Sequence, residues 1–140
     1  MGCFLKILQR PQFASLKYLG FPEINRTLSR QVFPKISRAC PLLEEIDCGC
    51  GTYSDEMTKL PAIFPNLKKI SLEMLHFDSN SLEQFVKAMD GRLTGLNLLA
   101  GRGGGFQCLD ATLETIGRYC PNLTSFCYGF CWISKKTISK

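Results

Sequence analysis

The chain has 140 residues, enough for one globular domain, and its 45% hydrophobic content excludes disorder by composition. No apolar run approaches the ~20 residues of a membrane span, and Met1 to Leu8 lacks the pattern of a secretory signal. The net charge of +5 comes from 17 basic residues spread along the sequence and clustered only at Lys135, Lys136 and Lys140. Without a basic stripe and interleaved aromatics, nucleic acid is not an expected partner.

Residues 1–12 come first. Leu5, Ile7 and Leu8, together with Phe13, suit a helix or irregular cap beneath a first strand. Met1-Gly2-Cys3 resembles an acylation signal but has Lys6 where Ser or Thr is required, so a lipid anchor is not expected. After Phe13-Ala14-Ser15 an apolar pattern L-x-x-L-x-L begins with Leu16, Leu19 and Phe21. Thr27 or Ser29 then precedes a helical spacing of Val32, Ile36 and Cys40, which Pro34 should interrupt. Asn25-Arg26-Thr27 is a glycosylation sequon, as is Asn122-Leu123-Thr124 further on. Neither is expected to act without a secretion signal.

Cys40-Pro41-Leu42-Leu43 opens the same pattern again, now Leu43, Ile46 and Cys48. Its alternation predicts a short strand with one buried face. Gly49, Gly51 and Ser54 predict a turn, and Met57, Leu60, Ile63 and Phe64 a helix kept short or irregular by Pro61 and stopped by Pro65. Phe64-Pro65-Asn66-Leu67 opens the third copy, Leu67, Ile70 and Leu72. Asp78, Ser79 or Ser81 can cap a helix carrying Leu82, Phe85, Val86 and Met89, with Gly91 as its stop. Leu93, Leu96 and Leu98 form the fourth copy. Gly101-Arg102-Gly103-Gly104-Gly105 lacks the ending of a phosphate-binding loop and reads as a connection that absorbs extra length. Asp110 or Thr112 begins a helix with Leu113, Ile116, Tyr119 and Cys120. Cys120-Pro121-Asn122-Leu123 then opens the fifth copy, Leu123, Phe126 and Tyr128. Cys131 to Lys136 reads as the connection into a helix that does not arrive, so the chain is expected to stop inside a repeat and to be a fragment of a longer solenoid.

The first leucines of the five copies lie 27, 24, 26 and 30 residues apart. That period predicts an α/β fold, a leucine-rich-repeat solenoid of about four to five repeats over residues 13–134, with a basic tail at 135–140. Short parallel strands line its concave side and helices its convex side. Leu43, Leu67, Leu93 and Leu123 stack into one core ladder.

The helix followed by C-P-x-L-x-x-L-x-L-x-x-C resembles the cysteine-containing repeat of F-box/LRR proteins. Residues 120–131 are the nearest copy, and 40–48 a near second with Gly51 where the later cysteine would stand. The resemblance implies that the repeats hold a protein substrate of a cullin-RING ubiquitin ligase. In that family a Skp-type adaptor and cullin attach through an F-box. Only a dozen residues precede the first repeat here, and none forms the Leu-Pro opening of that motif, so the repeats alone would supply substrate recognition.

The eight cysteines invite a metal or disulfide reading. Cys40 and Cys120, however, occupy a slot that Phe13 and Phe64 also fill, which marks it as buried and apolar. Cys48-x-Cys50 is too tight for the common zinc spacing, and Cys127 with Cys131 lies three repeats away. No metal and no cofactor are expected, and the thiols should be reduced, which suits the cytoplasm, with the nucleus as a second location. His76 is the single histidine and no nucleophile is tied to it by motif, while Glu44, Glu45, Asp47, Asp55 and Glu56 suit solvated faces. The chain is not expected to be an enzyme.

Residues flanking the second and third apolar positions point away from the core. They predict a partner-binding concave face of Tyr18, Glu45, Asp47, Lys69, Ser71, Glu73, Asn97, Leu99, Ser125 and Cys127, with Gly20, Gly49, Gly95 and Gly129 leaving room for a partner's approach. Such a mixed, polar surface suits another protein or peptide. Two functions fit it: ligase substrate recognition, and a scaffold or signalling adaptor unrelated to ubiquitin.

Overall fold

A computed structural model describes residues 2–21, 26–53, 57–76, 79–100, 109–128 and 131–134. The Arg102 loop, the Asp78 cap, Asn25, Asp55, Glu56, Gly129 and the tail lysines lie outside them.

Five short strands stack in chain order: β1 (Tyr18–Phe21), β2 (Glu45–Tyr53), β3 (Lys69–His76), β4 (Gly95–Ala100) and β5 (Ser125–Tyr128). Each is parallel to the one before it. The connections carry α2 (Arg26–Ala39), α3 (Leu60–Ile63), α4 (Ser79–Ala88) and α5 (Leu109–Tyr119), while α1 (Gly2–Leu8) and a 3-10 turn (Pro11–Ser15) precede the first strand. Sheet order that equals chain order, with a helix in each connection, is the topology of a solenoid.

Register follows the apolar phrase. Leu19, Ile46, Ile70, Leu96 and Phe126 are successive partners across the sheet, as are Cys48, Leu72 and Leu98. Leu43, Leu67, Leu93 and Leu123 are buried in the same core. Cys40, Phe64 and Cys120 are all buried too, as one apolar slot requires, while Phe13 is partly buried against them. Leu8 is buried and Leu5 partly so, which makes α1 the predicted cap, packed on α2.

Each strand entry is also tied to the one below by backbone. The carbonyl of Lys17 accepts from the N–H groups of Glu44 and Glu45, that of Glu44 from Lys68 and Lys69, that of Lys68 from Thr94 and Gly95, and that of Thr94 from Thr124 and Ser125. A side-chain ladder runs beside it at the third residue of the Cys-Pro-x-Leu phrase. Asn66 Nδ2 donates to the Pro41 carbonyl at 3.0 Å, Arg92 to the Pro65 carbonyl, and Asn122 Nδ2 to the Gly91 carbonyl at 2.8 Å.

Four expectations need correction. Pro34 does not interrupt α2, which runs through it. The ring lies on the exposed side, where the unmade helical bond does not face the packed core. β2 continues through Gly49 to Gly51 as strand, its register with β3 shifting between Cys48 and Thr52. Thr112 is buried inside the first turns of α5 and does not start it. Finally, Cys131–Ser134 is not a connection into a helix. It forms β6, antiparallel to β5, and covers the last edge of the parallel sheet.

Two helix ends behave as expected. α3 is only four residues long, with Pro61 in its first turn. After α4, Asp90 (φ 51°) and Gly91 (φ 73°) are both left-handed, which turns the chain into β4.

Candidate functional site

Because strand residues alternate in direction, the residues between the core ladders form rows on the opposite face. One row is Tyr18, Glu45, Lys69, Gly95 and Ser125, and the next is Gly20, Asp47, Ser71, Asn97 and Cys127, each set in direct register. Glu73 and Leu99 are paired in a third row. At ~4.8 Å per strand, a row of five spans about 19 Å, the width of a short peptide or a protein loop.

Tyr18 is 53% exposed, which leaves its ring open to contact. Its hydroxyl lies over Gly20, where a Cβ would meet it at 2.9 Å, and Asp47 lies alongside. The ring, Glu45 and Asp47 thus form one aromatic and acidic corner. Neither carboxylate makes a hydrogen bond or ion pair among the described residues. Lys69, exposed in the middle of the row, leans its stem over Gly95, where a Cβ would meet its Cγ at 3.1 Å and Ser125 Oγ at 3.0 Å. Both glycines therefore make room for neighbouring side chains of this chain, not for a partner, as the sequence had suggested.

The other predicted residues divide. Ser71, Asn97 and Leu99 are half-buried and Ser125 is exposed, all on the predicted face. Asn97 Oδ1 is shielded from solvent and finds no donor among the described residues. The Glu73 side chain lies outside the described set. Cys127 is a correction: only 2% exposed, it is not a contact residue. Its strand is no longer the sheet edge once β6 pairs with it, Trp132 standing in register opposite Cys127.

Two of the buried thiols, Cys40 and Cys120, are chemically quiet. Burial pushes the Cys40 thiol up and that of Cys120 to about 11, away from the thiolate that nucleophilic attack or metal binding needs. Among the described residues no three His, Cys, Asp or Glu side chains gather as metal ligands, and no helix is long and apolar enough to cross a membrane.

The helical side has its own concavities. A groove of about 350 Å³ between α4 and α5 is lined by Val86, Lys87, Arg118 and Tyr119 among others, and a smaller one of about 200 Å³ by Glu83, Glu114 and Thr115. Four of their charged groups, Glu83, Lys87, Glu114 and Arg118, are already partnered. Lys87 Nζ sits 2.7 Å from Glu83 and 5.1 Å over the Tyr119 ring, and Arg118 pairs with Glu114 at 3.1 Å. The Lys87 hydrogen bond holds the Glu83 carboxyl below its usual range and raises Lys87 in return. Such a surface has less to gain from a partner than the sheet face.

The asparagine and arginine ladder escaped sequence reasoning. Aligning Leu42, Asn66, Arg92 and Asn122 would have shown a hydrogen-bond donor in three of four copies. Asn122, read as part of a sequon, is a rung of that ladder.

Known structures share this fold. A chain of the yeast Rad7–Elc1 crystal structure superposes with a TM-score of 0.65 over 95% of this chain and 36% of that one, at 18% identity. The tropomodulin C-terminal domain of Caenorhabditis elegans superposes at 0.53 over 97% of this chain and 85% of that one, at 13% identity. The chain thus spans little more than a third of the first neighbour's length. No family model matches the sequence, and no curated protein does.

Proposed function

We propose that the chain is a protein-binding repeat module whose concave sheet face holds a partner. The observation that carries this is the Tyr18, Glu45 and Asp47 corner together with Lys69: exposed or half-buried groups in strict register, with no partner for their charges among the described residues. Exposed aromatic rings beside unpaired charges are what interfaces use as anchors.

More finely, we read the module as the substrate-recognition repeats of an F-box-type ubiquitin ligase, acting in ubiquitin-dependent protein breakdown in the cytoplasm or nucleus. Two things support this: the Cys-Pro-x-Leu repeat, and a fold shared with a protein complex, Rad7 with Elc1. The adaptor and cullin would attach through an F-box, not through these repeats. A scaffold with no link to ubiquitin is the second reading, favoured by the tropomodulin domain, which matches over most of its own length.

Affinity capture of the full-length protein from cell extract, with quantitative mass spectrometry, separates the two. Recovery of cullin and a Skp-type adaptor alongside a substrate supports the ligase. Stable partners without either one overturn it and leave the scaffold.

A further inference from the structure

The basic residues look scattered in the sequence, but the fold gathers them. Up to Leu42 there are seven basic residues and one acidic, Glu23, whereas the remainder has ten basic and eleven acidic. The whole net charge therefore sits in the first part of the chain. Much of it faces outward on the helical side. Lys6 in α1, Arg10 just after it, and Lys35 and Arg38 in α2 are all exposed, and Lys59, from the remainder, joins them at the start of α3. None of the five has an ion pair among the described residues.

These elements adjoin one another. α2 contacts both α1 and α3, and Ser37 Oγ donates to the Ile63 carbonyl, fastening α2 to the following helix. Exposed Pro34, Lys35 and Arg38 lie within about 6 Å of one another along α2 at 1.5 Å per residue. The contrast with α4 and α5 is direct, because there each outward cation near a carboxylate is neutralised four residues away. α2 offers no carboxylate anywhere along its length. Apolar groups lie within the patch: Ile7, 47% exposed between Lys6 and Arg10, and exposed Pro34 next to Lys35 and one turn from Arg38.

We propose that this convex face of α1, α2 and α3 is a second docking surface, and that its occupant is an acidic polypeptide segment bearing an apolar side chain. Lys6, Arg10, Lys35, Arg38 and Lys59, with no ion pair among the described residues, call for carboxylates, and such complementarity speeds encounter and sets orientation. Ile7 and Pro34 decide the class of partner. A nucleic-acid backbone offers phosphates but nothing for these apolar groups to bury, and among the described residues no exposed aromatic ring stands among the cations for bases to stack on. An acidic peptide with a leucine satisfies both features. This surface lies on the opposite side of the sheet from the Tyr18 corner, so a partner on one leaves the other open.

The test is fluorescence anisotropy on the full chain with a labelled synthetic peptide of glutamate and aspartate interspersed with leucine. A second peptide replaces each leucine with glycine, and duplex DNA and phosphatidylserine-containing vesicles serve as competing probes. The leucine peptide should bind, weaken with rising salt, and lose at least about tenfold in affinity, ~1.4 kcal/mol, in Lys35→Glu/Arg38→Glu. The glycine peptide, and Ile7→Ser with the leucine peptide, should each bind more weakly than the parent pair. Glu45→Lys/Asp47→Lys should leave this binding unchanged, which separates it from the concave face. Unchanged thermal unfolding of each variant shows that folding is not the cause. Binding that ignores Lys35→Glu/Arg38→Glu overturns the proposal. So does tighter binding of DNA or vesicles through the same two residues.

Discussion

The sheet side and the helix side of this solenoid obey the repeat to different degrees. On the sheet side, five strands share one register and one apolar phrase, and every strand entry hydrogen-bonds to the entry below it. On the helix side, the connections carry helices of 14, 4, 10 and 11 residues. Their surfaces differ as well: Lys35 and Arg38 on α2 have no ion pair among the described residues, whereas α4 and α5 carry carboxylate–cation pairs. Stacking demands identity only where neighbours touch along the core, so the rest of each unit is free to carry local chemistry. The strands make the fold, and what varies between units, on either face, is where specificity can reside.

The largest effect should come from the shared core. Leu67 is fully buried in the ladder, and Leu67→Ala should cost about 2–5 kcal/mol in chemical denaturation through lost transfer energy and the cavity left behind. Lys35→Ala on the helix side should stay within about 0.5 kcal/mol of the parent. Equal losses at the two sites would break the comparison.

The Cys/Phe slot gives a pH signature. Burial raises the Cys120 thiol from the ordinary 9.0 to about 11. The folded state holds that proton more tightly than the unfolded state, so this contribution is fully present below pH 9 and is lost as pH rises toward 11. The decline should be roughly 2–3 kcal/mol and should flatten in Cys120→Ala. A slope unchanged by that substitution would contradict the buried slot.

Gly91 closes α4 with φ 73°, and its Cβ would have space, the nearest atom lying 3.8 Å away. Gly91→Ala should therefore cost only the backbone penalty, about 1 kcal/mol. Smallest are the ladder rungs. Asn66→Ala and Asn122→Ala should each lower stability by roughly 0.5 kcal/mol, the low end for a hydrogen bond, because each loses one to an exposed turn carbonyl. A double variant whose loss is near the sum would show that the rungs act independently.

The same division explains what the sequence could show. Leu43, Ile46 and Cys48 announce a strand because apolar alternation is a local pattern that the sheet repeats, and the outward positions of Tyr18, Glu45 and Lys69 follow by parity. Cys127 obeys that parity yet is buried, since its exposure depends on β6 folding back antiparallel, and nothing in Cys131–Ser134 alone fixes that direction. Pro34 looked like a break because its cost is local, whereas its tolerance depends on which side of α2 faces the core. The glycines at 20 and 95 were visible, but their use, making room for Tyr18 and for Lys69, is a matter of three-dimensional neighbours. The convex charge patch was hidden for the same reason: Lys6, Arg38 and Lys59 are distant in sequence, and only the packing of α1 and α3 on α2 brings the elements that carry them together.

The central claim is that the concave sheet face holds the partner. Its most direct test is the affinity of a captured partner, measured by calorimetry, for the parent chain and for Glu45→Lys/Asp47→Lys. Both positions are partly solvent-accessible, so the thermal unfolding midpoint should not move. The account predicts at least about a tenfold loss of affinity, ~1.4 kcal/mol, in the folded variant. An unchanged affinity with an unchanged midpoint would contradict it.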